Sequence, residues 1–314
     1  MKTLVLKKIL GAILVVVILS ILCFLLIHML PGDPAAMIAG MNASDEVVEA
    51  IRERMGLNQP LVIQYLNWAK GIVTGDWGVS LTNGSEVLPQ ILERLPRTLL
   101  LTISATVLSL LVAIPLSVIA AAKHNTNTDL GITSTSIVLL SVPEFWFGML
   151  LMILFAVKLR ILPAGGYTPP SVDFWMFLKR LILPVCTTAI CLTPGSLRLI
   201  RSSMLDVLGE DYIMLARVKG NPPFRVNYVH SLRNSLIPIS TSISMMVASL
   251  MAGAIIIEKV FQYPGLGFLM VTAIEFRNYP VIQGTLLMFS VIIVIVNFFT
   301  DFVYVLLDPK IRLN

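Results

Sequence analysis

The sequence contains few charged residues. Asp, Glu, Lys and Arg make up 13% of its 314 residues, whereas soluble domains carry about 25%. Hydrophobic residues make up 56%. One soluble core in a chain of this length cannot bury apolar side chains at that density, so a lipid bilayer is the expected solvent for much of the chain. The composition therefore excludes an ordinary soluble domain.

Cysteine and histidine are also scarce, with three residues of each type. The cysteines lie inside apolar stretches, and an odd number without paired spacing indicates neither a disulfide framework nor a zinc site. No histidine shares a helix face with another histidine or a cysteine at the spacing of metal ligands. We therefore expect no metal to be bound by this chain. The residues concerned are Cys23, Cys186, Cys191, His28, His124 and His230.

The sequence lacks the phosphate-binding loop Gly-x-x-x-x-Gly-Lys-Ser/Thr, so it cannot bind ATP by that means. We expect no cofactor in this chain, and energy from ATP would have to come from a partner protein. The net charge of +5 does not indicate nucleic-acid binding. That function needs a basic face interleaved with aromatic residues, whereas the positive residues here stand in short runs between apolar blocks.

Six apolar blocks are long enough to cross about 30 Å of hydrocarbon, which predicts an all-α, multi-pass membrane protein. The first block, about 20 residues long, exceeds a secretory signal core of about 7–15 residues, and no small-residue cleavage site follows it. The fourth is the weakest, because Pro184, Pro194 and Gly195 interrupt it. The predicted spans are 9–30, 98–122, 132–157, 181–200, 236–257 and 284–307.

The distribution of Lys and Arg predicts the orientation of the spans. These residues are in modest excess at both ends of the chain, in the 123–131 turn and in the 198–235 loop. Short cytoplasmic loops carry such an excess. Both termini and the 198–235 loop are therefore expected in the cytoplasm.

The first loop, residues 31–96, has the pattern of a structured segment on the outer side. Ser44 can cap a helix whose first turn carries Asp45 and Glu46, and a second amphipathic stretch follows Pro60. We predict two short helices that lie on the outer membrane surface in contact with lipid, or alternatively a small packed cap.

The 198–235 loop is too polar to cross a membrane and is strongly patterned. Gly220 is predicted to end a first helix in the left-handed conformation, and Pro222-Pro223 prevents its continuation. A second helix is predicted from Phe224 to Ser235. This helix–turn–helix segment indicates a docking site for a partner protein. Apolar residues at alternating three- and four-residue spacing predict one shared face in the first helix: Leu205, Leu208, Tyr212 and Leu215.

Polar residues within the spans are candidates for lining a path through the membrane. Glu144 stands near the middle of the third predicted span, beside Ser141. A carboxylate at that depth usually faces a cavity or a partner. A structural hydrogen bond or a subunit contact is the alternative role for Glu144.

Residues 210–238 contain strings that resemble the cytoplasmic coupling loop of ABC importer permeases. They are Glu210-Asp211-Tyr212-Ile213-Met214-Leu215-Ala216-Arg217-Val218-Lys219-Gly220 and His230-Ser231-Leu232-Arg233-Asn234. The resemblance is closest to the dipeptide, oligopeptide and nickel branch. Further strings extend it over the chain: His28 to Pro34, Gly56 to Tyr65, Gly75 to Ser80, Leu162 to Tyr167, Glu258 to Gly267, Tyr279 to Gln283 and Asp308 to Arg312. The sequence departs from the family pattern at Val218 and from Asn221 to Phe224.

The resemblance implies a type I importer permease fold in two parts. Residues 1–96 would form the first transmembrane helix and the extracytoplasmic loop, and residues 97–308 the permease core with the 198–235 loop. The implied location is the plasma (inner) membrane of a prokaryote. The implied partners are a second, different permease, ATP-binding subunits that hold ATP and Mg, and an extracytoplasmic solute-binding protein. The chain itself would not be an enzyme.

The coupling residues are carried over from the same resemblance together with the helical pattern. Apolar residues would pack on the ATPase, charged ones would make polar contacts, and Gly220 would form the turn. The set is Leu205, Leu208, Asp211, Tyr212, Leu215, Ala216, Arg217, Gly220, His230 and Arg233.

Two other classes of function are disfavoured. An intramembrane enzyme needs a nucleophile–base pair or a His-Glu-x-x-His helix, and the spans contain neither. A stand-alone carrier or channel would not need the patterned 198–235 loop. Within the importer class, di- or oligopeptides are the expected cargo, with nickel or a metal chelate as the alternative.

Overall fold

The structure is a computed structural model that describes residues 2–29, 34–39, 43–54, 56–232, 234–235, 250 and 253–307. Regular structure in these residues is helical, apart from one antiparallel bridge between Val79 and Glu86. The all-α prediction is therefore confirmed. The helices are α1 Lys2–His28, α2 Pro34–Ala39, α3 Asp45–Arg54, α4 Leu61–Thr74, α5 Val87–Ala122, α6 Asn127–Leu140, α7 Glu144–Met152, α8 Phe174–Leu208, α9 Asp211–Val218, α10 at 253–260, α11 Leu266–Glu275 and α12 Tyr279–Leu307.

Three described helices are long and apolar enough to cross a bilayer, namely α5, α8 and the Tyr279–Phe298 part of α12. Helices α5 and α8 contain the second and fourth predicted spans, and the sixth, 284–307, lies within α12 as a whole. The first predicted span falls in α1, whose apolar stretch is Ile9–Leu25. The fifth, 236–257, lies outside the described residues except for 250 and 253–257.

The third predicted span, 132–157, falls in two helices that together are long and apolar enough to cross a bilayer but are separated by a break. Helices α6 and α7 meet at a bend of 96°, and a π-helical segment, Ile153–Lys158, continues α7. Pro143 has extended backbone angles at the break. Proline has no N–H to donate to the preceding turn, and it disfavours helical geometry in the residue before it. A new helix therefore begins at Glu144.

Helix α8 is continuous through both of its prolines, which the sequence suggested as interruptions. Its 35 residues include Pro184 and Pro194, both buried. Each proline leaves the carbonyl four residues earlier, at Arg180 or Ile190, without its N–H donor. Membrane helices tolerate such prolines because neighbouring groups and local adjustments satisfy the freed carbonyls.

The chain forms two compact units, of which the first contains residues 1–97 and 265–294. In this unit α3 begins directly after Ser44, and α4 follows Pro60 and ends at the left-handed Gly75. Both helices of the first loop were predicted. Helix α4 contacts α1, since the Tyr65 hydroxyl lies 2.9 Å from Ser20 Oγ and the rings of Tyr65 and Trp68 pack against Phe24.

The segment after α4 is held by a buried amide. Asn278 Oδ1 accepts from the Leu81 N–H at 3.1 Å, while its Nδ2 donates to Ser80 Oγ and Thr82 Oγ1 at 2.8 and 3.0 Å. Asn278 is 3% exposed, so these three bonds satisfy a group that water cannot reach. They connect two loops that are almost 200 residues apart in sequence.

The second unit contains residues 98–264 and 295–314, and its core is built around α8. One apolar cluster joins α5 and α8 to α10, through residues including Leu101, Leu181 and Ile257. Hydroxyl groups line the buried face of α5: Thr98, Thr102, Thr106, Ser109 and Ser117. Small polar residues allow close approach of membrane helices.

A tight loop contact completes this core. The Gly166 N–H donates to the Phe261 carbonyl oxygen at 2.8 Å, and the Tyr167 ring packs edge-on against Tyr263. A Cβ atom on Gly165 would lie 2.3 Å from the same carbonyl oxygen. Only glycine at position 165 allows the two backbone segments to approach this closely.

Candidate coupling hairpin and path residues

The patterned loop folds as a hairpin, residues 209–235, that begins where α8 ends. Gly209 closes α8, and Glu210 has the extended backbone angles of a helix N-cap. Helix α9 follows, with Asp211 in its first turn and Arg217 in its last. These charges match the helix dipole, which favours acidic residues at the N-terminus and basic residues at the C-terminus.

The predicted single face of four apolar residues is wrong. The break at residues 209–210 places Leu205 and Leu208 on α8, where both pack against a buried cluster, and leaves Tyr212 and Leu215 exposed on α9. The buried residue of α9 is Ile213. Periodicity suggested one long helix, but the interruption changes the direction in which the later residues point.

The exposed side of α9 is apolar. Leu215 is 53% exposed, Met214 68% and Val218 76%. Ala216 is half-buried, whereas Asp211 and Arg217 are exposed. Contiguous exposed apolar side chains with charged neighbours are typical of protein interaction sites.

The turn has the geometry that the sequence predicted. Gly220 adopts φ +80°, and its N–H donates to the Arg217 carbonyl at 2.9 Å. Asn221 then donates from both its backbone N–H and its Nδ2 to the Ala216 carbonyl, at 3.3 and 2.9 Å. The asparagine, which departs from the family pattern, thus satisfies a carbonyl at the end of α9.

The return segment differs from the α-helix predicted from Phe224 to Ser235. Residues Arg225–Ser231 are π-helical, with Val226 and Ser231 buried. π-Helical segments are rare in proteins as a whole, and those that do occur are often found at functional sites. His230 Nε2 is buried and has no hydrogen-bond partner among the residues described. The predicted coupling residue Arg233 lies outside the described residues.

The base of the hairpin is fixed to α8. Tyr228 and Leu232 pack against the cluster that contains Ile200 and Met204, and Ser235 Oγ donates to the Ser203 carbonyl at 3.3 Å. The two limbs also contact each other, since Asn234 Nδ2 donates to the Tyr212 hydroxyl at 3.0 Å. The hairpin is therefore packed onto α8 at its base, while the apolar side of α9 remains largely exposed.

An ion pair beside this cluster was missed by the sequence analysis. Asp129, in the first turn of α6, is 4% exposed and accepts from Arg201 Nε and Nη2 at 2.7 and 2.6 Å. The Asn125 N–H donates to it at 3.1 Å. His124 Nδ1 lies 3.2 Å from Asp129 Oδ2 and 3.1 Å from Arg201 Nη2. The sequence showed only that Asp129 and Arg201 carry opposite charges at the ends of apolar blocks. Because they are 72 residues apart, the sequence did not indicate that they pair.

The two predicted path residues lie at the α6–α7 bend. Glu144 is the first residue of α7 and is half-buried. Its Oε2 atom lies 3.2 Å from the position that a Cβ on Gly253 of α10 would occupy. Ser141 is exposed, and its Oγ donates to the Ile137 carbonyl at 3.2 Å. The bend thus places a carboxylate at the start of a helix, where the helix dipole stabilises negative charge.

No metal centre is formed by the part of the chain that the structure describes. Its residues contain no group of three or more His, Cys, Asp or Glu that could hold a metal ion.

Comparison with known sequences identifies the class of protein. The family model "Binding-protein-dependent transport system inner membrane component" matches residues 113–313, and the N-terminal model for such membrane components matches residues 1–102. Proteins of this class are permease subunits of ABC importers. The chain belongs to this family of binding-protein-dependent transport system inner membrane components.

Full-length relatives support this assignment. The oligopeptide transport system permease protein AppB of Bacillus subtilis is 38% identical over 297 residues, which cover 94% of each chain. The glutathione transport system permease protein GsiC of Escherichia coli K12 is 39% identical over 308 residues, 98% of each chain. The probable peptide ABC transporter permease protein y4tP of Sinorhizobium fredii is 38% identical with the same coverage.

The fold is also similar to a solved structure. The inward-facing MetNI methionine ABC transporter matches with a TM-score of 0.61 over 71% of this chain and 98% of that chain, at 14% identity. The chain is therefore a multi-pass inner-membrane permease subunit with the importer fold, and it works with ATPase and substrate-binding partners. Like its relatives it is a non-catalytic subunit.

Proposed function

We propose that this chain forms one half of a permease that imports di- or oligopeptides, and that its hairpin couples transport to ATP hydrolysis in a partner subunit. The exposed apolar side of α9 is the observation that carries the coupling role. A short helix with apolar side chains and flanking charges suits a groove on a partner protein. The names of the relatives AppB, GsiC and y4tP support a peptide or peptide-like cargo.

The proposed machine contains further parts that this chain does not supply. A second, different permease would complete the path, ATP and Mg would be bound by the ATPase subunits, and a solute-binding protein would deliver cargo. Helix α4 would lie on the outer leaflet, because Val62, Leu66 and Val73 are exposed apolar residues. The boundary at residues 96–97, which separates the first helix and its loop from the permease core, stays a prediction. The lining of the path by Ser141 and Glu144 also stays a prediction.

The coupling residues divide into two groups in this proposal. Side chains of α9 and its turn would contact the ATPase, whereas those at the base would support the hairpin. The first group is Asp211, Tyr212, Leu215, Ala216, Arg217 and Gly220, and the second is Leu205, Leu208 and His230.

The Leu215→Asp variant tests the coupling role. It is expected to lower uptake of a labelled dipeptide by the assembled complex at least about tenfold, because an unpaired carboxylate would be buried in the partner groove. Co-purification of the ATPase subunits should fall in parallel. Val172→Asp is the matched control, since Val172, which is 76% exposed, is likewise an exposed apolar residue but lies in the loop before α8. Normal co-purification and uptake with Leu215→Asp would overturn the coupling role.

The orientation is tested by labelling single cysteines. In a chain whose three native cysteines are replaced by serine, a Val218→Cys thiol should react with an impermeant maleimide only after the cells are opened. A Val172→Cys thiol should react in intact cells, because the predicted topology places it on the outer side. Labelling of position 218 in intact cells would contradict both the cytoplasmic termini and the coupling role.

A further inference from the structure

The Asp129–Arg201 ion pair has a geometry suited to transmitting force. The Nε and Nη2 atoms of Arg201 donate to the carboxylate, one to each oxygen, and the Asn125 N–H adds a third donor. Bidentate pairs of this kind fix orientation as well as distance. Separation of the pair would leave the buried Asp129 carboxylate as an uncompensated charge, which is strongly unfavourable, so helices α6 and α8 are joined at this point.

The α8 side of the pair is continuous with the base of the hairpin. Arg201 stands between Ile200, which belongs to the apolar cluster, and Ser203, whose carbonyl accepts from Ser235 Oγ. Tyr228 from the return segment packs on the same cluster. Movement of the hairpin base is therefore expected to move the helix turn that carries Arg201.

The α6 side of the pair leads to the bend. Asp129 occupies the first turn of α6, and Ile132, one turn later, packs on the same apolar cluster. The other end of α6 is Leu140, followed by the 96° bend and then Glu144. A helix is stiff over 14 residues, so a displacement at Asp129 is carried to the bend.

We propose that the Asp129–Arg201 ion pair is the link through which the hairpin moves α6 and the bend at Glu144 during transport. Asp129 and Arg201 act here as positioning residues, which couple the ATP-driven movement to the proposed path. This inference rests on the proposed coupling role of the hairpin.

The test uses the complete complex in proteoliposomes and measures dipeptide uptake and ATP hydrolysis in the same vesicles. Asp129→Asn and Arg201→Gln should each lower the uptake per ATP hydrolysed about tenfold, the usual size of coupling between sites. The ATPase subunits should remain bound. The variant Asp129→Arg/Arg201→Asp, in which the two residues are exchanged and the net charge is unchanged, should recover most of the uptake per ATP hydrolysed. Arg198→Gln, one turn earlier on α8 and exposed, should leave the ratio unchanged.

A second measurement does not depend on transport. In a chain whose native cysteines are replaced by serine, spin labels at Ser134→Cys on α6 and Arg225→Cys on the return segment, both exposed positions outside the docking side of α9, report whether the hairpin and α6 move together. Their distance should stay constant between nucleotide states in the otherwise unmodified chain and should change with nucleotide in Asp129→Asn. A distance that already changes without the Asp129 substitution would overturn the link.

The outcomes separate this link from the coupling role of the hairpin. An unchanged ratio in both single variants overturns the link, while continued binding of the ATPase subunits leaves the role of the hairpin intact. Failure of Asp129→Asn, Arg201→Gln and the exchanged variant to assemble would also overturn the link, because the ion pair would then serve folding alone. Loss of ATPase binding with Leu215→Asp is independent of the state of the ion pair.

Discussion

The Gly165→Ala variant is expected to lower the amount of folded protein in the membrane at least about tenfold. The added Cβ would lie 2.3 Å from the Phe261 carbonyl oxygen, far inside van der Waals contact. Overpacking of a core usually costs about 1–3 kcal/mol, and a loss of this size changes cellular abundance several-fold or more. The clash here is with backbone, which cannot rotate away as a side chain can.

The surrounding contacts prevent an easy escape from this clash. The Phe261 carbonyl also accepts from the Gly166 N–H at 2.8 Å, so a retreat of the loop would break that bond. Phe261 is itself 1% exposed and belongs to the core cluster of the second unit. Relief of the clash therefore requires displacement of the core or loss of a buried hydrogen bond, and either change is destabilising.

Gly195→Ala is the matched control for this prediction. It makes the same chemical change in α8, where a Cβ would meet no atom within 4 Å. Alanine also has the higher helix propensity, so this variant should be at least as abundant as the unmodified chain. Quantitative detection of both variants in isolated membranes checks the prediction. Equal abundance of the two variants would show that the loop does not approach Phe261 as closely as described.

The Glu258→Ala variant is expected to destabilise the protein by about 3 kcal/mol. The Thr98 hydroxyl donates to Glu258 Oε1 at 2.6 Å, and both residues are completely buried. Removal of the carboxylate would leave the hydroxyl without this acceptor and open a cavity, and the two effects add. In thermal unfolding of the detergent-purified protein, we expect the midpoint to fall by at least about 5 °C.

Two further variants show what the contact needs. Glu258→Gln keeps an oxygen that can accept from Thr98 and keeps the volume, so it should retain more of the stability than alanine does. Glu210→Ala removes an exposed carboxylate and should leave the midpoint unchanged, as most exposed substitutions do. An alanine variant at 258 as stable as the one at 210 would refute the importance of the Thr98 contact.

The importer assignment could be reached from sequence because it depends on local patterns. Apolar runs predict membrane helices, since the backbone in hydrocarbon must satisfy its own hydrogen bonds. Strings such as Glu210 to Gly220 identify the family because they are local and ordered along the chain. The family match over residues 113–313 confirms that assignment. Gly220 was placed correctly, because a turn that needs positive φ selects glycine whatever the surroundings.

Other features could not be predicted from local pattern. The prediction of a helix face shared by Leu205 and Leu215 was wrong, because a break of two residues redirects α9. The periodicity of apolar residues contains no information about such a break. The return segment was predicted as an α-helix, but it is π-helical, with Val226 and Ser231 buried. The Asp129–Arg201 pair joins residues 72 positions apart, and sequence alone did not connect them.

The amino-acid sequence by itself determined that this chain crosses a membrane in helices, that it carries a patterned loop, and that it is a permease of the importer family. Composition and short-range pattern are sufficient for these conclusions, because hydrocarbon restricts the backbone to few solutions. Only the tertiary structure decided where α6 bends into α7, which side of α9 is left exposed, and how Asp129 meets Arg201. These features depend on contacts between distant residues, whose energies are set by packing and burial rather than by neighbours along the chain.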